Sequence, residues 1–133
     1  MVSAEQGIRS ILVVDDNQAV TRSLMTLLRN EGFEPKTFQS GQPALEYIRE
    51  HCPDAALIDI HLPDVCGLEL SRELRKTHGN SMPIIIFSGD NSMDTLRALP
   101  DAGVTCFMSK PVNVSRLLEC LRQYTAAPPP LNG

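Results

Sequence analysis

A chain of 133 residues has room for one domain with a substantial core. Its 42% hydrophobic and 21% charged residues match a globular composition and exclude disorder. No apolar run reaches the roughly 18 residues of a membrane span, and the net charge of −4, with basic residues scattered among acids, argues against nucleic-acid binding.

The stretch Met1–Ser10 carries Glu5 and lacks a basic, then apolar, then small-residue pattern, so no secretory signal is read there. Cys52, Cys66, Cys106 and Cys120 are too far apart for a CxxC pair. His61-x4-Cys66 has no second pair to complete a metal site, which leaves reduced thiols in a cytoplasmic protein as the expectation.

In chain order, Ser10–Val14 is a continuous apolar strand ended by Asp15-Asp16. Val20, Leu24, Leu27 and Leu28 then recur at helical spacing, with Gly32 as the stop signal. Glu34–Phe38 reads as a weaker strand, and Ser40 is expected to cap a helix with Pro43 in its first turn and Ala44, Leu45 and Ile48 facing inward. Ala55–Ile58 is the third strand and runs into Asp59; a helix from Gly67 to Thr77 follows. Ile84–Phe87 is the fourth strand, leading to Ser88-Gly89, and Ser92–Leu99 is a short helix cut off by Pro100. Thr105–Met108 is the fifth strand, leading to Ser109-Lys110-Pro111. Asn113 caps a last helix with Val114, Leu117, Leu118 and Leu121 in its stripe. Met25, Met82, Met93 and Met108 read as packing residues. The boundaries are then an N-terminal extension at 1–9, one domain at 10–125, and a Pro-rich tail or linker at 126–133.

Apolar strands alternating with helices imply a parallel sheet covered on both faces, and right-handed crossovers make it a doubly wound α/β sandwich. Function belongs at the carboxyl ends of the strands, near the switch point. The residues there are Asp15, Asp16, Asp59, Ser88 and Lys110. Carboxylates roughly 5 Å apart repel by about 3 kcal/mol per pair at an effective dielectric near 20. Such a cluster calls for a hard cation, and Mg²⁺ suits carboxylates and phosphate oxygens alike. A carboxylate nucleophile, a metal, a lysine and a hydroxyl together fit phosphoryl transfer onto an aspartate.

The set Asp15-Asp16, Asp59, Ser88-Gly89 and Lys110-Pro111, at these spacings, resembles the receiver domains of two-component response regulators, from about Ser10 to Tyr124. The resemblance implies a flavodoxin-like (βα)5 fold of strand order 2-1-3-4-5, with Asp59 as phosphoacceptor. Asp15, Asp16, Asp59 and the backbone carbonyl of His61 would hold Mg²⁺. Ser88, Gly89 and Lys110 would bind the phosphoryl group, and Phe107 would be the aromatic switch residue. The Lys110–Pro111 peptide would be cis. The implied donor is a histidine kinase or phosphotransfer protein. The implied recipient is an output module or target protein, engaged through the face of the fourth helix, fifth strand and fifth helix, with homodimerisation left open. The resemblance implies no direct DNA binding and no membrane.

Several residues depart from the family pattern. His61 stands two residues after the acceptor and Asp90 two after Ser88, so the pair is assigned to tuning the phosphoryl lifetime. Cys66 occupies a position where the family usually has Asp, which removes a helix cap worth about 1 kcal/mol. A haloacid-dehalogenase-like phosphatase also forms an aspartyl phosphate, but it places its nucleophile in a DxDx[TV] run after the first strand. Here that run is Asp15-Asp-Asn-Gln18, and there is no second domain to cap a substrate pocket. A degenerate receiver acting without phosphorylation is disfavoured because all five site residues are present.

Overall fold

The computed structural model describes residues 9–89 and 93–125. Most of the expected N-terminal extension, the Pro-rich tail, Asp90 and Ser92 lie outside the described residues. Five strands, β1 (Ser10–Val14), β2 (Glu34–Phe38), β3 (Ala55–Asp59), β4 (Ile84–Ser88) and β5 (Cys106–Ser109), alternate with five helices. These are α1 (Gln18–Asn30), α2 (Gly41–Glu50), α3 (Gly67–His78), α4 (Met93–Ala98) and α5 (Val114–Thr125).

The strands are all parallel, in the order β2-β1-β3-β4-β5. This is the doubly wound flavodoxin-like sandwich expected from the sequence. β3 and β4 are buried at every position because helices cover both of their faces, which is why neither alternates in polarity. Successive residues still point to opposite sides. Leu12, Val14, Ala56, Ile58, Ile84 and Ile86 pack with Ala44 and Ile48 of α2 and Leu70 and Leu74 of α3. Ile11, Val13, Leu57, Ile85 and Phe87 pack with Leu24 and Leu28 of α1 and Leu117 and Leu121 of α5. Burying each such side chain contributes roughly 1.5–3 kcal/mol. This two-sided core holds the carboxyl edge of the sheet rigid.

Local signals set the helix ends. Asn17 Oδ1 accepts from the backbone N–H of Ala19 at 2.9 Å and Val20 at 3.2 Å, which starts α1. Gly32, at φ 94°, turns the chain after it. Asn113 Oδ1 likewise accepts from Arg116 N at 3.0 Å to begin α5.

Five expectations need correction. Ser40 sits at the cap position of α2 without capping it through its side chain; the job is done by Asp64, a distant residue described below. β5 begins at Cys106 rather than Thr105, because the Thr105 hydroxyl accepts Ile84 N at 2.9 Å and so occupies a donor that a strand pairing would use. Val114 is 44% exposed, outside the buried stripe of α5, and Met93 is 60% exposed and packs nothing into the core. α4 ends at Ala98, and a 3₁₀ turn over Pro100–Ala102 follows. That turn is tied to α3 by the Ser71 hydroxyl, which donates to Ala102 O at 2.7 Å.

Candidate functional site

Register brings the site together. Val14 lies opposite Ile58, so the residues that follow, Asp15 and Asp59, leave adjacent strands side by side. Each loop starts while still hydrogen-bonded to the neighbouring strand: Asp15 N to Phe38 O at 3.0 Å, Ile60 N to Phe87 O at 3.0 Å, and Lys110 N to Ser88 O at 2.9 Å. Their side chains therefore rise from a fixed base.

Asp15, Asp16 and Asp59 each offer a carboxylate oxygen within 4.8 Å of the others. Asp15 is fully buried and Asp59 is 4% exposed, while Asp16 is open to solvent. Asp15 Oδ1 accepts from Asn17 N at 2.9 Å, and Asp59 Oδ1 from His61 N at 3.2 Å. Lys110 Nζ stands 2.9 Å from Asp15 Oδ2 and 3.0 Å from Asp59 Oδ2. Burial disfavours the charge on Lys110, but the hydrogen bonds and charges of Asp15 and Asp59 outweigh it and hold its pKa above the ordinary value.

One ammonium against three carboxylates leaves an excess of negative charge. Asp15 Oδ2 is buried, with the Lys110 ammonium at 2.9 Å as a counter-charge that it shares with Asp59. With that one ammonium shared by two buried carboxylates and a third within 4.8 Å, a further cation would lower the repulsion in the cluster. An all-oxygen carboxylate donor set fits a hard divalent ion such as Mg²⁺.

A sequence profile of the response regulator receiver domain matches residues 11–122. The chain belongs to that family. The receiver is 36% identical over 123 residues to the response regulator MprA of Mycolicibacterium vanbaalenii, covering 92% of this chain and 53% of MprA. It thus spans about half the length of that relative. Against the polar-differentiation response regulator DivK of Brucella ovis it is 31% identical over 117 residues, covering 87% of this chain and 95% of DivK. The crystal structure of a CheY-like receiver domain protein from Methanospirillum hungatei superposes with a TM-score of 0.84 at 31% identity, covering 90% of this chain and 94% of the other.

Within the receiver, the sequence-predicted residues fall into two groups. Asp15, Asp16, Asp59 and Lys110 converge directly. Ser88 ends β4, fully buried, in register with Ser109, and Gly89 is exposed beside it with open space where a Cβ would stand. The Lys110–Pro111 peptide is cis. Phe107 is half-buried, in register with Ile86 and packed against the core on the α2–α3 side rather than at the carboxylates. His61 is exposed on the β3–α3 loop, where it forms an isolated antiparallel bridge with Cys66. Asp90 lies outside the described residues. Among the described residues, no helix is long and apolar enough to cross a membrane.

The sequence reading missed two residues. Gly67 is buried so tightly under the site that a Cβ would collide with the Asp59 carbonyl oxygen and approach Ile60 Cα at 2.8 Å. Its signal was a glycine in the first turn of a helix, where that residue weakens the helix and so implies a close approach. Asp64 left no signal, because its partners are more than twenty positions away.

Proposed function

We propose that this receiver takes a phosphoryl group on Asp59 from the phosphohistidine of a kinase or phosphotransfer protein. A carboxylate oxygen of Asp59 forms the new P–O bond while the P–N bond of the donor breaks. Lys110, already paired with Asp59, binds the incoming phosphoryl oxygens, and the Ser88 hydroxyl and the backbone at Gly89 complete that contact. Asp15 and Asp16, with Asp59 and the His61 carbonyl, would hold Mg²⁺, which when bound neutralises charge on the carboxylates and phosphoryl oxygens. The observation that carries this reading is the cluster of three carboxylates, Asp15, Asp16 and Asp59, with oxygens within 4.8 Å of one another and one lysine shared between the two buried ones.

The mark is read by an output module or target protein through the α4-β5-α5 face, with Phe107 reporting on the site from β5; a second copy of the chain is another occupant of that face. His61, with Asp90, shields the acyl phosphate from water. His61→Ala then speeds its decay severalfold; slower decay in that variant would make His61 an orienter of the attacking water instead.

Incubation with Mg²⁺ and acetyl phosphate tests the reading. One acid-stable, base-labile phosphoryl group is expected, and none in Asp59→Asn. Labelling that persists in Asp59→Asn would overturn it.

A further inference from the structure

The β3–α3 loop, Ile60–Cys66, lines an open depression of about 380 Å³ together with Asp16, directly beside the carboxylates. Its base is closed by Gly67 N donating to Ile60 O at 2.8 Å and by the His61–Cys66 bridge. Its tip is held from elsewhere. Asp64 Oδ1 accepts from Gly41 N and Oδ2 from Gln42 N, both at 2.7 Å, and Oδ1 also accepts from Val65 N at 2.9 Å. A helix leaves its first N–H groups without internal partners. In α2 two of them are satisfied by one carboxylate on another loop, and Ser40 supplies no side-chain cap. The two segments meet with no slack: a Cβ on the buried Gly41 would collide with Val65 Cγ2.

We propose that Asp64 is a positioning residue for the Asp59 site, fastening the loop that borders this site to the N-terminus of α2. The loop's near end carries His61, whose N–H binds Asp59 Oδ1 at 3.2 Å, so fixing the tip also fixes that donor. Both anchors belong to rigid parts of the fold, β3 below and α2 beside. The two α2 amides also hold the negative charge of Asp64 at a helix N-terminus, where it is favoured. Asp64 therefore borders the acidic cluster with its charge already met.

The inference rests on phosphoryl transfer to Asp59, and its test separates positioning from simple helix capping. Asp64→Ala removes both roles. Adding Ser40→Asp to it returns a local cap to α2 and leaves the loop untied. Melting temperature, hydrogen exchange of the loop amides and the phosphorylation rate with acetyl phosphate are followed in all three proteins.

Asp64→Ala should exchange faster at His61, Leu62, Val65 and Cys66 and phosphorylate roughly tenfold to a hundredfold more slowly, the scale of a small misplacement of reacting groups. The double variant should regain melting temperature while the loop stays fast-exchanging and the rate stays low. A rate that recovers with the melting temperature would reduce Asp64 to a helix cap and overturn the proposal. So would an unchanged rate in Asp64→Ala while the wild type is labelled. A wild type that takes no phosphoryl group would instead refute the assignment of Asp59.

Discussion

Lys110→Met keeps most of the lysine stem and removes its charge, which isolates the electrostatics of the site. Lys110 Nζ lies 2.9 Å from Asp15 Oδ2 and 3.0 Å from Asp59 Oδ2, and the two carboxylate side chains are 0% and 6% exposed. Taking one partner from a buried ion pair costs about 3–5 kcal/mol. The lysine side chain is itself 27% exposed, which places the loss near the lower end, about 3 kcal/mol. At about 4 °C per kcal/mol for a domain of this size, the variant should melt about 12 °C lower in chelator-treated buffer. Added Mg²⁺ should raise its melting temperature by more than it raises that of the wild type, because the variant's carboxylates have lost their other counter-charge. The alkaline limb should change too. The folded pKa of Lys110 is raised above its ordinary 10.5, so its contribution is complete below that value and is lost as pH climbs through the folded pKa. Lys110→Met should lack this part of the decline above pH 10.5. Equal melts in chelator, or a smaller Mg²⁺ shift in the variant, would refute the reasoning.

Gly67→Ala forces a Cβ against the backbone of Asp59 and Ile60 and should cost about 3 kcal/mol in a denaturant melt, whereas Gly89→Ala, with nothing within 4 Å of the new atom, should stay within about 0.5 kcal/mol; equal effects would contradict the close packing. A thiol reagent at neutral pH should label the exposed Cys52 and Cys66 first and Cys120 only on unfolding, since burial, then the neighbouring Cys106, pushes the Cys120 thiol up to about 11. Labelling of Cys120 as fast as Cys52 would show that α5 does not pack as described.

The strands were legible because their apolar runs end abruptly in polar residues, and β1, β2 and β3 stand within a residue of where the sequence puts them. The convergence of Asp15, Asp59 and Lys110 followed from one fact of topology, since parallel strands deliver all their carboxyl ends to one edge. What stayed hidden depends on contacts between segments remote in sequence. Ser40 has the residue type and position of a cap, yet the amides of α2 face Asp64. Thr105 has a strand-forming side chain, yet its hydroxyl takes the hydrogen bond from Ile84 and also accepts from Arg75 Nη2 at 3.2 Å. Met93 looks like core in a composition and stands in solvent, because α4 buries no residue at all.

The central claim, that Asp59 is the phosphoacceptor, is tested most directly by trapping the modified residue. An aspartyl phosphate is an acyl phosphate, which borohydride reduces to the alcohol, leaving homoserine at the modified position. After treatment with Mg²⁺ and acetyl phosphate, reduction and peptide sequencing should find homoserine at position 59 and at no other aspartate. Homoserine at position 15 or 16, or a phosphoryl group recovered on Ser88 or His61 with position 59 unchanged, would contradict the account.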